Sequence, residues 1–350
     1  MLPLNKVILE DLDAICRSGI DWSKLKNSRV LVTGANGLIA SYIIYTLLHL
    51  NETQGCGITI YALARSEEKI RRRYGALLER ADFKLVLQDV TAPLLLDLSM
   101  DYIIHAASQT SPKQFTEDPV GTALGNVLGT NNMLSFAVKS GAKVFLLLST
   151  REIYGKSVKE FAEEDDYGVT DPTQVRSCYP EGKRMAETLC AAYREQHELN
   201  CKIARIAHAY GPGMLLSDGR VVGDFIGNVV RKEPIVMNSD GSGTLALTYI
   251  SDLVSGLFMT ICNFDEFVYN ISDSSHPITV RQLAELLCET ASDPRIRLEI
   301  HLANQRQSAG YLAHKVPFLS ATKANVQGWL PRVSLQNGLR KTVAFFVQQI

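Results

Sequence analysis

Several patterns that would point elsewhere are missing from this chain. Its seven cysteines (16, 56, 178, 190, 201, 262 and 288) are odd in number and include no CxxC pair. They read as free thiols in a reducing compartment, so a cytoplasmic protein is expected. The histidines are scattered, with no HExxH or paired spacing, and no metal site is expected. No apolar run approaches membrane length, so no membrane partner is expected. The opening stretch "MLPLNKVILEDLDAICRSG" sets acidic residues inside its apolar pattern, unlike a signal peptide. There is no basic stripe. With a net charge of −1 and a pI near 6.7, nucleic acid is not an expected partner. The one basic run, Arg71 to Arg73, is answered by Glu67, Glu68 and Glu79 and reads as a solvated helix face. No internal repeat or low-complexity linker divides the chain.

What is present is an alternation. The pattern predicts an amphipathic lead-in helix over 5–18 and then a strand at "RVLVTG" (29–34). A helix (38–50), a strand (57–65), a helix (67–80) and strands at 84–89 and 101–107 follow. Next come a long helix (119–141), a strand (143–150), a helix from Tyr179 to about His197 and a strand at "CKIARIAHAYG" (201–211). The strands are near-continuously apolar, which argues for a parallel sheet covered on both faces. The later part is more mixed, with helices near 221–231, 251–262, 279–290 and 334–348. The fold class is therefore α/β: a doubly wound, Rossmann-type parallel sheet with a smaller, mixed C-terminal substrate lobe. The expected division is a lead-in (1–26), a dinucleotide-binding domain (27–211, with 245–272 returning to it) and a substrate lobe (212–244 and 273–350).

Between the first strand and helix, "VTGANGLIAS" places Gly34, Gly37 and Ala40 as GxxGxxA. Gly34 suits the tight turn, Gly37 lets backbone approach a pyrophosphate at the helix N-terminus, and Ala40 keeps helix and strand close. No acidic residue ends the second strand to hold a ribose diol. Arg65 stands there instead. It can meet a 2′-phosphate, stack on adenine or simply lead a helix, so the cofactor is NAD with NADP left open. Asp89, at the tip of the third strand, can accept from the adenine amino group or cap its own loop.

In "RSCYPEGKRMAETL", Tyr179 and Lys183 stand four apart and share a helix face. An ammonium near a phenol favours the phenolate, giving a usable general acid/base. Pro180 fits a first helical turn, and Gly182 suits a close approach.

Taken in order, GxxGxxA, "HAAS", Asn126, "LLLSTREIYG", YxxxK and "RIAHAYGPG" make the chain resemble the extended short-chain dehydrogenase/reductases, in their nucleotide-sugar epimerase, dehydratase and decarboxylase branch. Within that branch "RSCYPEGKRMAETL", "DGRVVGDFI", "YISDLVSGL" and "GWLPRVSLQNGLRKTVAFF" are most similar to UDP-glucuronate decarboxylases. The resemblance covers roughly residues 27–348.

It implies that Tyr179 is the acid/base at a sugar 4-hydroxyl and that Lys183 holds the nicotinamide ribose. It implies that Thr150 bonds the substrate hydroxyl and that Glu152 acts on the carbon-5 proton. Asn36, Leu38, Ile39, Val90, Ala106, Ala107 and Ser108 would join Gly34, Gly37, Arg65 and Asp89 on the cofactor, with Asn126 supporting the site. Helices 119–139 and 179–196 would form a homodimer interface, and the partner molecule would be a nucleotide-diphosphate sugar. The chemistry implied runs through a transient 4-keto sugar. From that intermediate, carbon dioxide can leave, water can be eliminated, or carbon 4 can be re-reduced on its other face. An NADPH-dependent 4-keto reductase and a non-catalytic dinucleotide-binding protein are the remaining alternatives.

The chain departs from the resemblance at named positions. Arg151 stands where decarboxylases carry a small residue, and can pair with a substrate carboxylate or with Glu152. His208 replaces an asparagine that helps hold substrate, and reads equally as a core histidine. Gly213 and Leu245 replace arginines, which leaves Arg220 as the best phosphate contact.

Overall fold

The computed structural model describes residues 2–291, 293–301 and 315–349. Seven parallel strands form the central sheet: β1 (Arg29–Thr33), β2 (Thr59–Ala64), β3 (Phe83–Leu87), β4 (Tyr102–His105), β5 (Val144–Thr150), β6 (Cys201–Ile206) and β7 (Val268–Ile271). Their order is β7-β6-β5-β4-β1-β2-β3, with the direction of winding reversing between β1 and β4. Strands buried on both faces explain the apolar runs: β5 has no exposed residue.

The helices are α1 (Lys6–Cys16), α2 (Leu38–Gln54), α3 (Glu67–Tyr74), α4 (Pro112–Glu117), α5 (Pro119–Ser140), α6 (Cys178–His197), α7 (Val221–Arg231), α8 (Ile250–Cys262), α9 (Val280–Ala291), α10 (Thr322–Val326) and α11 (Leu335–Val347). The doubly wound sheet carries the smaller strand pairs 235–237 with 298–300 and 244–245 with 278–279 in the later part of the chain. None of the helices among the described residues is long and apolar enough to cross a membrane.

The lead-in helix is a fastener. Asp11 is fully buried and accepts from Tyr42 Oη (3.0 Å) on α2 and from Tyr249 Oη (2.8 Å) before α8. It also pairs with the Lys341 ammonium on α11. One carboxylate thus ties α1 to early, middle and late parts of the chain.

Several boundaries differ from the sequence reading, each for a local reason. The helix expected over 67–80 stops at Tyr74, because Gly75 takes a φ of 49° and a 3₁₀ turn follows. The strand expected to reach 211 ends at Ile206, and residues 209–210 pair instead with 248–249. Helix α4 was not anticipated, although Ser111 and Gln114 form a capping box around Pro112. The basic run is not all solvated. Arg71 and Arg72 pair with Glu67 and Glu68, but Arg73 turns inward to Ser41 Oγ (3.3 Å) and the Gly213 carbonyl (3.2 Å).

Candidate active site

The site residues gather where the carboxyl ends of β1, β4, β5 and β6 meet, the edge at which open α/β sheets bind ligands. Gly34 leaves β1 with φ +68°, and a Cβ there would lie 2.8 Å from Ala107 Cα and 2.9 Å from the Ala106 carbonyl. Only glycine lets this turn and the loop after β4 touch. Thr33 Oγ1 locks that contact by accepting from Ala106 N (3.1 Å) and Ala107 N (3.0 Å). Gly37 caps α2 without any side-chain bond, so the first turn that Leu38 and Ile39 open keeps N–H groups for a ligand. Asn36 Oδ1 is buried in the same turn with no partner among the described residues. Ser108 donates to Asn126 Oδ1 (2.8 Å), and Asn126 is anchored to the Thr122 carbonyl (2.9 Å).

A bare glycine turn and free helix N–H groups fit the pyrophosphate of a dinucleotide. At the outer end Arg65 and Asp89 form a loose exposed pair at 3.4 Å, and Asp89 also caps its loop by accepting from Thr91 N (2.8 Å). Val90 is buried and packs toward Gly129 of α5. Among the described residues no cluster of His, Cys, Asp or Glu is arranged to hold a metal ion.

The reacting groups stand on β5 and α6. Thr150 ends β5 and caps the 3₁₀ turn Arg151–Tyr154 by accepting from Glu152 N (3.3 Å). Tyr179, in the first turn of α6, is buried, and the Thr150 hydroxyl acts to lower its pKa. Gly182 explains itself here: a Cβ would lie 3.1 Å from Asn126 Cβ, so its absence lets α6 close on α5. One turn on, Lys183 is buried and donates to the Leu148 carbonyl of β5 (2.8 Å). Burial pulls this ammonium down to about 8, against the opposing charge of Glu187. Burial raises the Tyr179 phenol, and the Glu152 carboxylate raises it further. The Thr150 hydroxyl and then the charges of Arg176 and Arg220 draw it down.

Charge crowds the rest of the cleft. Glu152 Oε1 accepts from Arg176 Nη2 (2.8 Å), whereas Glu152 Oε2 is buried with no partner among the described residues. Sequence reasoning left Arg151 free to pair with Glu152, and the structure gives Glu152 to Arg176 instead. Arg220 is paired with Asp218 (Nε–Oδ2 2.8 Å). His208 is half-buried, its Nδ1 is buried with no partner among the described residues, and burial with the charges of Arg151 and Arg220 holds its pKa down to about 3, which favours the neutral ring. Leu245 lies in the short pair with 278–279, and Gly213 beside Arg73.

The sequence reading missed three contributors. Phe115 of α4 stacks on Tyr179, with ring centroids 4.8 Å apart. Arg176 was quoted without a role. Glu187 continues the stripe of Tyr179 and Lys183 at the same four-residue spacing, and it accepts from Ser149 Oγ (2.5 Å) and Arg205 Nη2 (2.8 Å) to fix β5, β6 and α6 together. That spacing was the available signal.

Comparison with known proteins gives the chain a family. Residues 30–272 match the NAD dependent epimerase/dehydratase family. The chain is 36% identical over 313 residues to UDP-glucuronic acid decarboxylase 3 of Arabidopsis thaliana, covering 89% of this chain and 87% of the relative. It is 35% identical over 325 residues to UDP-glucuronic acid decarboxylase 1 of the same plant, covering 93% and 71%. Among solved structures, UDP-glucuronic acid 4-epimerase from Bacillus cereus, in complex with UDP-glucuronic acid and NAD, superposes with a TM-score of 0.75 at 20% identity. That match covers 92% of this chain and 100% of the other. The chain belongs to the NAD dependent epimerase/dehydratase family.

Proposed function

We propose that this protein oxidises a nucleotide-diphosphate sugar at carbon 4 and acts on the resulting 4-keto sugar as a UDP-glucuronate decarboxylase does. The observation that carries the reading is the buried pair Tyr179 and Lys183, one turn apart on α6, with the Thr150 hydroxyl acting to lower the phenol's pKa. The choice of decarboxylation over elimination or epimerisation is supported by the 35–36% identity to decarboxylases over about nine-tenths of the chain.

When bound, NAD accepts a hydride from carbon 4 and later returns it, so it is not consumed. Gly34, Asn36, Gly37 and the start of α2 would hold its pyrophosphate, and Lys183 its nicotinamide ribose. Tyr179 takes the 4-hydroxyl proton as the carbonyl forms. Thr150 orients that hydroxyl. In the 4-keto sugar the carboxylate on carbon 5 belongs to a β-keto acid. The bond to the carboxylate carbon breaks, carbon dioxide leaves, and the electron pair moves onto the carbon-4 oxygen as an enolate beside Tyr179. A proton then replaces carbon dioxide on carbon 5, and Glu152 is the ionisable side chain placed for that transfer. Tyr179 finally returns its proton to the carbon-4 oxygen.

Exposed Val120, Leu124 and Leu128 on α5 and Met185 on α6 support a homodimer through 119–139 and 179–196. The test is proton NMR of the NAD-supplemented protein with UDP-glucuronate, repeated with Tyr179→Phe. Conversion to UDP-xylose or its 4-keto form, reduced by a factor of about 10² to 10⁴ in the variant, is expected. Full turnover by Tyr179→Phe would contradict the role given to the phenol.

A further inference from the structure

We propose that Arg151 is the anchor for a carboxylate on the sugar and makes the site selective for a uronate over the corresponding neutral hexose. This rests on the carbon-4 oxidation reading above, and specifies its substrate class.

The argument is a charge account of the cleft. Arg176 is satisfied by Glu152 at 2.8 Å, and Arg220 by Asp218 at 2.8 Å. Arg151 is different. It is mostly buried, yet among the described residues it donates no hydrogen bond and joins no ion pair. Glu152 is its sequence neighbour and its field reaches Arg151, but that carboxylate is bonded to Arg176. The charge of Arg151 reaches His208, which offers no negative charge, only a buried Nδ1 with no partner among the described residues. A cation held away from water without a counter-ion is costly, and the cost is recovered when a ligand brings the missing anion.

The position selects which anion. Arg151 follows Thr150, whose hydroxyl acts on the Tyr179 phenol, to which the proton of carbon 4 is assigned. A carboxylate on carbon 5 is attached to the atom next to carbon 4, whereas the diphosphate sits on carbon 1, across the ring. The planar guanidinium also matches a carboxylate, to which it can donate two parallel bonds. The neutral His208 ring supplies a further hydrogen-bonding group beside it.

The test is calorimetric titration of the NAD-loaded full chain with UDP-glucuronate and with UDP-glucose, for the native protein and for Arg151→Ala and Arg151→Lys. The native protein should prefer UDP-glucuronate by about 10- to 100-fold, the range of a charge-assisted bond. Arg151→Ala should lose that preference with little change for UDP-glucose, and Arg151→Lys should keep part of it. A second readout needs no ligand. Arg151→Met should melt at a higher temperature than the native apo-protein, because it removes an uncompensated cation, whereas a purely structural arginine would give a lower one. Equal affinity for the two sugars, or a preference surviving in Arg151→Ala, overturns the anchor and leaves carbon-4 oxidation standing. Selective binding without any turnover contradicts the reaction and leaves the anchor.

Discussion

Phe115 lies on Tyr179 with their planes 25° apart and their centroids 4.8 Å apart, and the Arg176 guanidinium sits 4.3 Å from the same phenyl ring. The short helix α4 therefore grips the ring of the proposed acid/base. An aromatic pair of this kind is worth about 0.5–1.5 kcal/mol beyond its burial. Phe115→Leu should keep the fold and lower turnover by about 3- to 10-fold through a less fixed Tyr179. Steady-state kinetics check this, and an unchanged kcat would make Phe115 a packing residue only.

Gly34 is the position where side-chain volume is least affordable. Its φ of +68° and the 2.8 Å approach to Ala107 Cα mean that Gly34→Ala must move one backbone against another. Overpacking of this sort costs about 1–3 kcal/mol. The variant should unfold at lower denaturant and bind NAD at least tenfold more weakly, by fluorescence titration. Normal NAD affinity would contradict the cradle.

Lys183 gives a pH signature. Its folded value near 8 lies below the ordinary lysine value of 10.5, so the unfolded chain binds the extra proton between those limits. Its cost to stability is full below pH 8 and is relieved as pH rises towards 10.5. The shift corresponds to about 3 kcal/mol at most. Lys183→Met should lose this rise, so the native protein should gain stability relative to the variant from pH 7 to pH 10 in denaturant titrations. Parallel curves would contradict a buried, depressed ammonium.

His208 gives the opposite end of the range. Its folded value near 3 lies below its ordinary 6.5, so the stability it permits is present above pH 6.5 and is lost as pH falls towards 3. His208→Asn cannot titrate and should be less acid-sensitive, by roughly 2 kcal/mol at pH 5. Identical acid unfolding of the two proteins would place His208 in a wetter, charged environment.

The fold was legible because its signals are local and repeated. Apolar strands such as 144–150, glycines at the β1–α2 turn and the Tyr179/Lys183 spacing each depend on a few neighbouring residues. Pairings between distant segments were not legible. Nothing in one stretch says that Glu152 will be taken by Arg176, 24 positions away, or that Asp11 will meet Lys341, 330 positions away. Arg151 shows the limit most clearly. Its two sequence readings, counter-ion to Glu152 or hand to a substrate, are separated only when the structure gives Glu152 a different partner. Strand β7 escaped notice because "VYNI" is four residues long and carries a buried asparagine, whose amide bridges the Ala162 and Ser320 carbonyls.

The central claim is that hydride leaves carbon 4 and comes back to the same sugar, and it is tested most directly with UDP-glucuronate carrying deuterium at carbon 4. The NAD-supplemented protein is predicted to give a product that retains the deuterium at carbon 4 while carbon 5 takes a proton from solvent. A product formed with the carbon-4 deuterium lost to water, or with no change at carbon 5, would contradict the account.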